Sequence, residues 1–128
     1  MRRELTSHRV NGLNEDLNIY VADAPGSGGA NHAYAITYSL NPGTPAGGES
    51  PMVTVRFQNG PVREFGINGI SNEALLAIVE DRLSGFQSGQ YACRENAIAL
   101  TKIQEAMLWL QKRTRDRMAR GVEGTTTK

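Results

Sequence analysis

A chain of 128 residues, 39% apolar and 6% aromatic with 14 glycines, has room for one modest core and not for two, so one domain over residues 1–128 is expected, its small core supplemented by self-association. A net charge of +1 gives no overall field for nucleic acid or an acidic membrane, and any basic site must be local. Cys93 is the single cysteine, which excludes an intrachain disulfide framework, and neither a secretory signal nor a run of membrane-spanning length is evident; a soluble protein of a reducing cytosol is the expectation.

The opening dozen residues, MRRELTSHRVNG, are polar and unpatterned, and are expected to be flexible or loosely docked. LNIYVADAP, from Leu17, is the first strand-like run. The turn-forming APGSGGAN follows, and then HAYAITYSL, in which Tyr34, Ile36, Tyr38 and Leu40 alternate on one face. A glycine-rich loop cradles phosphates when a helix follows it; here a strand follows, so a plain strand-to-strand connection is the better reading. NPGTPAGGES, residues 41–50, is a second Pro/Gly-rich break. Both loops have the composition of segments that close over a pocket, or of simple slack.

PMVTVRFQNGPVREFGI reads as two strands around the turn dipeptide Asn59-Gly60, with Pro61 marking an edge position or a longer loop. Val53, Val55 and Phe57 share one face; Thr54, Arg56 and Gln58 share the other. Residues 1–70 are therefore read as a four-stranded antiparallel sheet with one polar face. The fold class expected is α+β: a small N-terminal antiparallel sheet followed by a helical hairpin over residues 71–121, one helix short and one long, and a tail at 122–128.

Ser71 is placed to cap a helix starting at Asn72, with Glu73 in the first turn. Leu75, Leu76, Ile78, Val79 and Leu83 supply a broad apolar stripe, and Gly85 is suited to end the helix in a left-handed cap. The second helix is expected from about Ala92 to Arg120, with Gly121 and Val122 as its terminal cap, and Cys93 is read as a buried helical cysteine. The two helices would be roughly 20 Å and 43 Å long, so neither covers the other fully. Leu100, Ile103, Met107 and Leu110 form one stripe, while Ile98, Leu108 and Trp109 lie outside it, so the long helix needs further partners: the sheet, a second copy, or both.

Lys112, Arg113, Arg115, Arg117 and Arg120, less Asp116, place about four net positive charges on the last turns of this helix, part of which is ordinary helix stabilisation. Arg113, Arg117 and Arg120 recur at steps of four and three, a spacing that aligns their guanidinium groups for phosphate recognition or simply makes a solvated charged face. Phe86 and Tyr91, in the loop GFQSGQY, offer rings that stack on a purine or seal the hairpin core. Asn96 offers both groups that pair with an adenine edge, or is a surface or capping residue. Asn96 and Arg113 lie roughly 25 Å apart along one straight helix, too far to hold one small ligand from a single chain. A dimer would bring Phe86 and Asn96 of one copy to Arg113 and Arg117 of the other, giving two equivalent sites. Arginines reaching into solvent contribute little to a core, so alanine at 113 or 117 is expected to weaken ligand binding without unfolding. No nucleophile-and-base pair is found, and His8 and His32 fall in no metal-ligand spacing, so neither catalytic residues, a metal nor a cofactor is expected.

The run from NGISNEALL through GFQ, CREN and ALTKIQEA to RTRDRMARGVEG resembles the helical hairpin shared by phage anti-CBASS cyclic-nucleotide sponges and the Thoeris anti-defence 1 family, and covers nearly half the chain. The β-region ahead of it is similar to the Thoeris branch. The resemblance implies a phage protein that acts in the host bacterial cytoplasm, sequesters glycocyclic ADP-ribose made by TIR-domain enzymes, and does not degrade it. It carries ligand contacts to Phe86, Asn96, Arg113 and Arg117: stacking, base-edge or ribose contacts, and diphosphate pairing. It also implies homodimers, in some members hexamers built as trimers of dimers that bind cyclic trinucleotides at separate sites, for which Arg120, Gly124 and Thr125 are the candidates. Three other readings stay open: a sponge for CBASS cyclic di- or trinucleotides, a protein that binds DNA or RNA through the basic helix, and an enzyme that cleaves the signal. The first is preferred to these, with no membrane and no nucleic-acid polymer as partner.

Overall fold

The computed structural model describes residues 3–41 and 48–128, so most of the second Pro/Gly-rich break lies outside the described residues. The chain divides into two compact units, one built from residues up to Gly60 with Ile67–Gly69, the other from Pro61–Gly66 and Ile70–Lys128. An N-terminal antiparallel sheet and C-terminal helices, one of them long, make the α+β class expected from the sequence.

The sheet has four strands in the order β1 (Arg3–Leu5), β2 (Leu17–Val21), β3 (Ala33–Ser39) and β4 (Glu49–Arg56), every neighbouring pair antiparallel. Its register follows the alternation in the sequence. Ile19 lies opposite Ile36, Ile36 opposite Val53, and Tyr34 opposite both Val21 and Val55, so one face gathers apolar side chains and Val21 is buried there. Tyr34 and Phe57 close that face edge-to-face at 5.8 Å. The other face is polar: the Glu49 carboxylate accepts hydrogen bonds from the Tyr20 and Thr37 hydroxyls. Between Ile36 and Thr37 the register slips, because Thr37 lies opposite Pro51 and Met52 is left over. A proline has no N–H for the ladder, and an edge strand accommodates it with a bulge.

Two expectations for this half are corrected. The opening residues are not loose: 3–5 form β1, and a one-turn helix α1 (Gly12–Asp16) is capped by Asn11, whose side chain accepts from the Asn14 N–H. Arg9 holds this segment to the sheet through Glu4 and through Asn18, a buried polar residue that also donates to the Ser39 hydroxyl. The sequence signal was weak because these ties are polar and long-range. The second error concerns PVREFGI, which is no strand. Pro61 leads into a single helical turn, α2 (Val62–Phe65), ended by Gly66 at φ 68°. Asn68 supplies the pairing a strand would have given: its side-chain amide accepts from the Asn59 N–H and donates to the Asn59 carbonyl, both at 2.8 Å. Gly69 follows because only a glycine fits there; a Cβ would lie 2.4 Å from the Phe57 carbonyl carbon.

The β2–β3 connection is an ordered turn. Asp23 accepts from the His32 N–H at 3.0 Å, and Asn31 donates to the Asp23 carbonyl at 2.8 Å. Desolvation pushes the Asp23 carboxyl upward, but the backbone donors of His32 and Ala33 and the side chain of Asn31 outweigh it and hold the group below its ordinary value.

In the second unit, α3 (Asn72–Gln87) starts at Ser71, whose hydroxyl accepts from the Ala74 N–H at 3.0 Å. Gly85 does not stop it. The helix runs on to Gln87 and ends when the Ser88 N–H and hydroxyl both bond to the Ser84 carbonyl; a helical glycine costs only about 1 kcal/mol, which local packing overrides. The long helix α4 (Arg94–Ala119) begins at Cys93, and this too departs from the expectation of a buried helical cysteine. Cys93 is extended and exposed, and its sulfur accepts from the Asn96 N–H. At the far end Gly121 takes φ 73°, its N–H bonding to Met118 and the Val122 N–H to Arg117, a Schellman cap.

Along α4 a row of half-buried or buried positions runs 96, 100, 103, 107, 110, 114 and 117 in alternating steps of four and three, with Gln111 half-buried beside it. On α3 the corresponding row is 73, 76, 80, 83 and 87. Such rows are the seams of a helical hairpin. No apolar side chain of either helix becomes fully buried, and Leu75, Ile78, Val79, Ile98, Leu108 and Trp109 remain exposed outside the seam. The α4 helix is roughly 39 Å long against 24 Å for α3, so its last turns extend beyond its partner helix.

Candidate functional site

Two clusters within the second unit contain the residues expected to bind a ligand, at opposite ends of α4. At the hairpin tip, Phe86 closes the last turn of α3 and meets Tyr91 edge-on at 6.0 Å between centroids. The guanidinium of Arg82, one turn earlier, lies 4.9 Å from the Phe86 ring centroid, covering one face of the ring by a cation–π contact. Asn96 stands in the first turn of α4, its side-chain amide donating to the Tyr91 carbonyl at 3.5 Å. Phe86, Tyr91 and Asn96 thus form one group, with Arg82 added by the structure. The four-residue spacing from Arg82 to Phe86, which puts both on one helix face, is the sequence signal for this contact.

At the other end, one row of α4 lines an open cleft of about 560 Å³: Trp109, Lys112, Arg113, Asp116, Arg117 and Arg120, joined by Lys128 from the tail. This volume suits a nucleotide-sized ligand. The cations are not equivalent. Lys112 is paired with Asp116 at 2.7 Å. Arg113 is exposed and makes no hydrogen bond or ion pair among the described residues. Arg117 is only 8% exposed. Its Nε donates to Glu123 at 3.1 Å and its Nη2 to the Val122 and Thr125 carbonyls at 2.9 and 3.0 Å, while Nη1 reaches the Thr127 carbonyl. Four of its five N–H donors therefore point into the tail. Arg120 donates to the Lys128 carbonyl.

The expectation that Arg117 reaches into solvent is thereby corrected. The Gly121 turn reverses the chain, and the returning tail lays its carbonyls across the last turn of α4. Gly124, at φ 81°, accepts from the Arg63 N–H at 3.3 Å, which fixes the tail against α2. Thr125 is turned inward, its hydroxyl donating to the Val122 carbonyl. Charge repeats alone gave no sign of this, because three of the four partners of Arg117 are backbone oxygens, which every sequence contains, and the fourth, Glu123, lies beyond the turn at Gly121.

The uninterrupted helix from Arg94 to Ala119 keeps the two clusters apart, Asn96 and Arg113 being roughly 25 Å from each other along its axis. Among the described residues no three His, Cys, Asp or Glu side chains gather as a metal site, and no helix is long and apolar enough to cross a membrane.

The model of one protein family, the Acb2/Tad1 hairpin domain, matches residues 52–115, a stretch that takes in Phe86, Asn96 and Arg113 and ends before Arg117 and Arg120. This is half of the 128 residues, and the chain belongs to that family. The chain is 56% identical over 77 residues to Thoeris anti-defense 1 of Bacillus phage SBSphiJ7, an alignment that takes in 60% of this chain and 54% of the relative. The chain thus spans about half the length of the curated relative it matches.

Proposed function

We propose that this chain is a phage anti-defence sponge that binds glycocyclic ADP-ribose and holds it intact, removing the signal that TIR-domain enzymes make to trigger Thoeris immunity in the host cytoplasm. The observation that carries the reading is the cleft on α4, where Arg113 presents an unpaired guanidinium beside Arg117 and Arg120. Paired N–H donors of this kind suit a diphosphate. The relative's name, Thoeris anti-defense 1, supplies the biological context.

In this reading the active form is a homodimer. Exposed Leu75, Ile78, Val79, Ile98 and Leu108 beside the hairpin seam call for a second copy, and the length of α4 separates the ring-bearing tip from the arginines. Phe86 of one copy stacks on adenine and its Asn96 contacts the base edge or ribose, while Arg113 and Arg117 of the other hold the diphosphate. Arg117 does so by exchanging tail carbonyls for phosphate oxygens. No residue here breaks a bond in the ligand. A second reading is binding of cyclic trinucleotides by a hexamer, for which Gly124, held by the Arg63 N–H, places a second arginine beside one of the candidate residues.

The test is to incubate the protein with purified glycocyclic ADP-ribose, and separately with cyclic di- and trinucleotides, remove free ligand by filtration, and denature the protein. Intact glycocyclic ADP-ribose released on denaturation is the expected result. Recovery of a hydrolysed product would overturn the sponge reading, and depletion of cyclic oligonucleotides alone would move the chain to the other branch.

A further inference from the structure

The row of α4 that lines the cleft begins with an aromatic ring. Trp109 is 66% exposed, it is the single tryptophan of the chain, and it is the only aromatic residue lining the cleft. It precedes Arg113 by one helical turn, so the indole and the unpaired guanidinium project from the same face about 6 Å apart along the axis. Of the other cations, Lys112 is paired with Asp116, Arg117 makes four tail contacts, Arg120 places one donor on the Lys128 carbonyl, and the Lys128 side chain joins the lining. Without rearrangement the cleft therefore offers a ligand one flat apolar ring a helical turn from the unpaired Arg113 guanidinium, within a cationic lining. That pair matches a nucleotide, whose base or ribose is apolar in cross-section and whose phosphate follows immediately.

We propose that Trp109 is a ligand-binding residue of this site, its indole stacking on the adenine of an adenine-diphosphate ligand while Arg113 pairs with the phosphate beside it. This rests on the sponge reading above and deepens it. Arg82 covers one face of Phe86 and Tyr91 meets the ring edge-on; in this proposal the remaining surface of the half-buried ring takes the far side of the same base. The adenine is then held between Phe86 of one copy and Trp109 of the other, and the site recognises a purine ring and not phosphate alone.

Because Trp109 is the only tryptophan, its fluorescence reports the contact directly. Wild-type protein is titrated with glycocyclic ADP-ribose and, in parallel, with inorganic pyrophosphate, following emission and heat together, and Trp109→Ala and Trp109→Phe are measured by calorimetry and native mass spectrometry. The adenine ligand should quench the emission and pyrophosphate should not. Trp109→Ala should weaken binding of the adenine ligand about 5- to 150-fold, the range one base stack contributes, while leaving pyrophosphate affinity and native mass unchanged, and Trp109→Phe should restore most of the loss. Binding without quenching, with Trp109→Ala as tight as wild type, overturns the proposal and leaves the sponge reading standing. A changed native mass in Trp109→Ala makes the indole an interface residue and overturns it as well. If wild type binds no glycocyclic ADP-ribose at all, the sponge reading fails and this one with it.

Discussion

Arg113 and Arg117 differ by one helical turn and were alike in the sequence, yet their environments are opposite. Arg113 is exposed and unpaired, whereas Arg117 is buried with four donors satisfied by residues 122–127. Their alanine variants should therefore separate. Arg113→Ala should leave thermal stability unchanged and weaken ligand binding by about tenfold or more, since one charge-assisted pair contributes about 1.5–3 kcal/mol. Arg117→Ala should cost about 2 kcal/mol of stability, read as a lowered melting temperature, and should expose the tail to rapid proteolysis. Equal stability of the two variants would show that the tail contacts contribute nothing in solution. The repeat of arginines was visible in the sequence, but which of them is free depends on backbone carbonyls brought back by a turn.

Among the elements, the end of α4 governs how the cleft is formed. Gly121 at φ 73° has open space around its Cβ position, so a side chain there meets no clash and is penalised by backbone conformation alone. Gly121→Ala should destabilise by about 1–2 kcal/mol, and hydrogen exchange should rise at the Gly121 and Val122 amides, which close the cap. No such rise would remove the Schellman turn from the account of how the tail is returned. The two helices were legible because their caps and their three- and four-residue steps are local: Ser71 and Gly121 were both read correctly. The misreadings at Gly85, at PVREFGI and at Cys93 have one cause. In each a side chain supplies a hydrogen bond that the main chain would otherwise make: the Ser88 hydroxyl at the end of α3, the Cys93 sulfur at the start of α4, and the Asn68 amide opposite Asn59.

For the whole molecule, the decisive feature is what one chain leaves uncovered. Helices whose apolar residues never become fully buried, and an Ile78 that remains 66% exposed, are poorly explained by a monomer. Native mass spectrometry should find an even number of chains, with one ligand per chain once glycocyclic ADP-ribose is added. A monomer that still binds the ligand tightly would defeat the cross-subunit site.

The sequence by itself determined the α+β order, the apolar alternation of β2 to β4, the hairpin with its capped helices and the family to which it belongs, because each is written in local periodicity or in contiguous motifs. Only the tertiary structure decided that residues 3–5 complete the sheet, that the chain after Gly60 makes a helical turn, and that Arg117 is enclosed by the tail while Arg113 stays free. Those outcomes depend on hydrogen bonds between residues far apart in the chain or to main-chain atoms, and neither kind of partner carries a mark in the order of side chains.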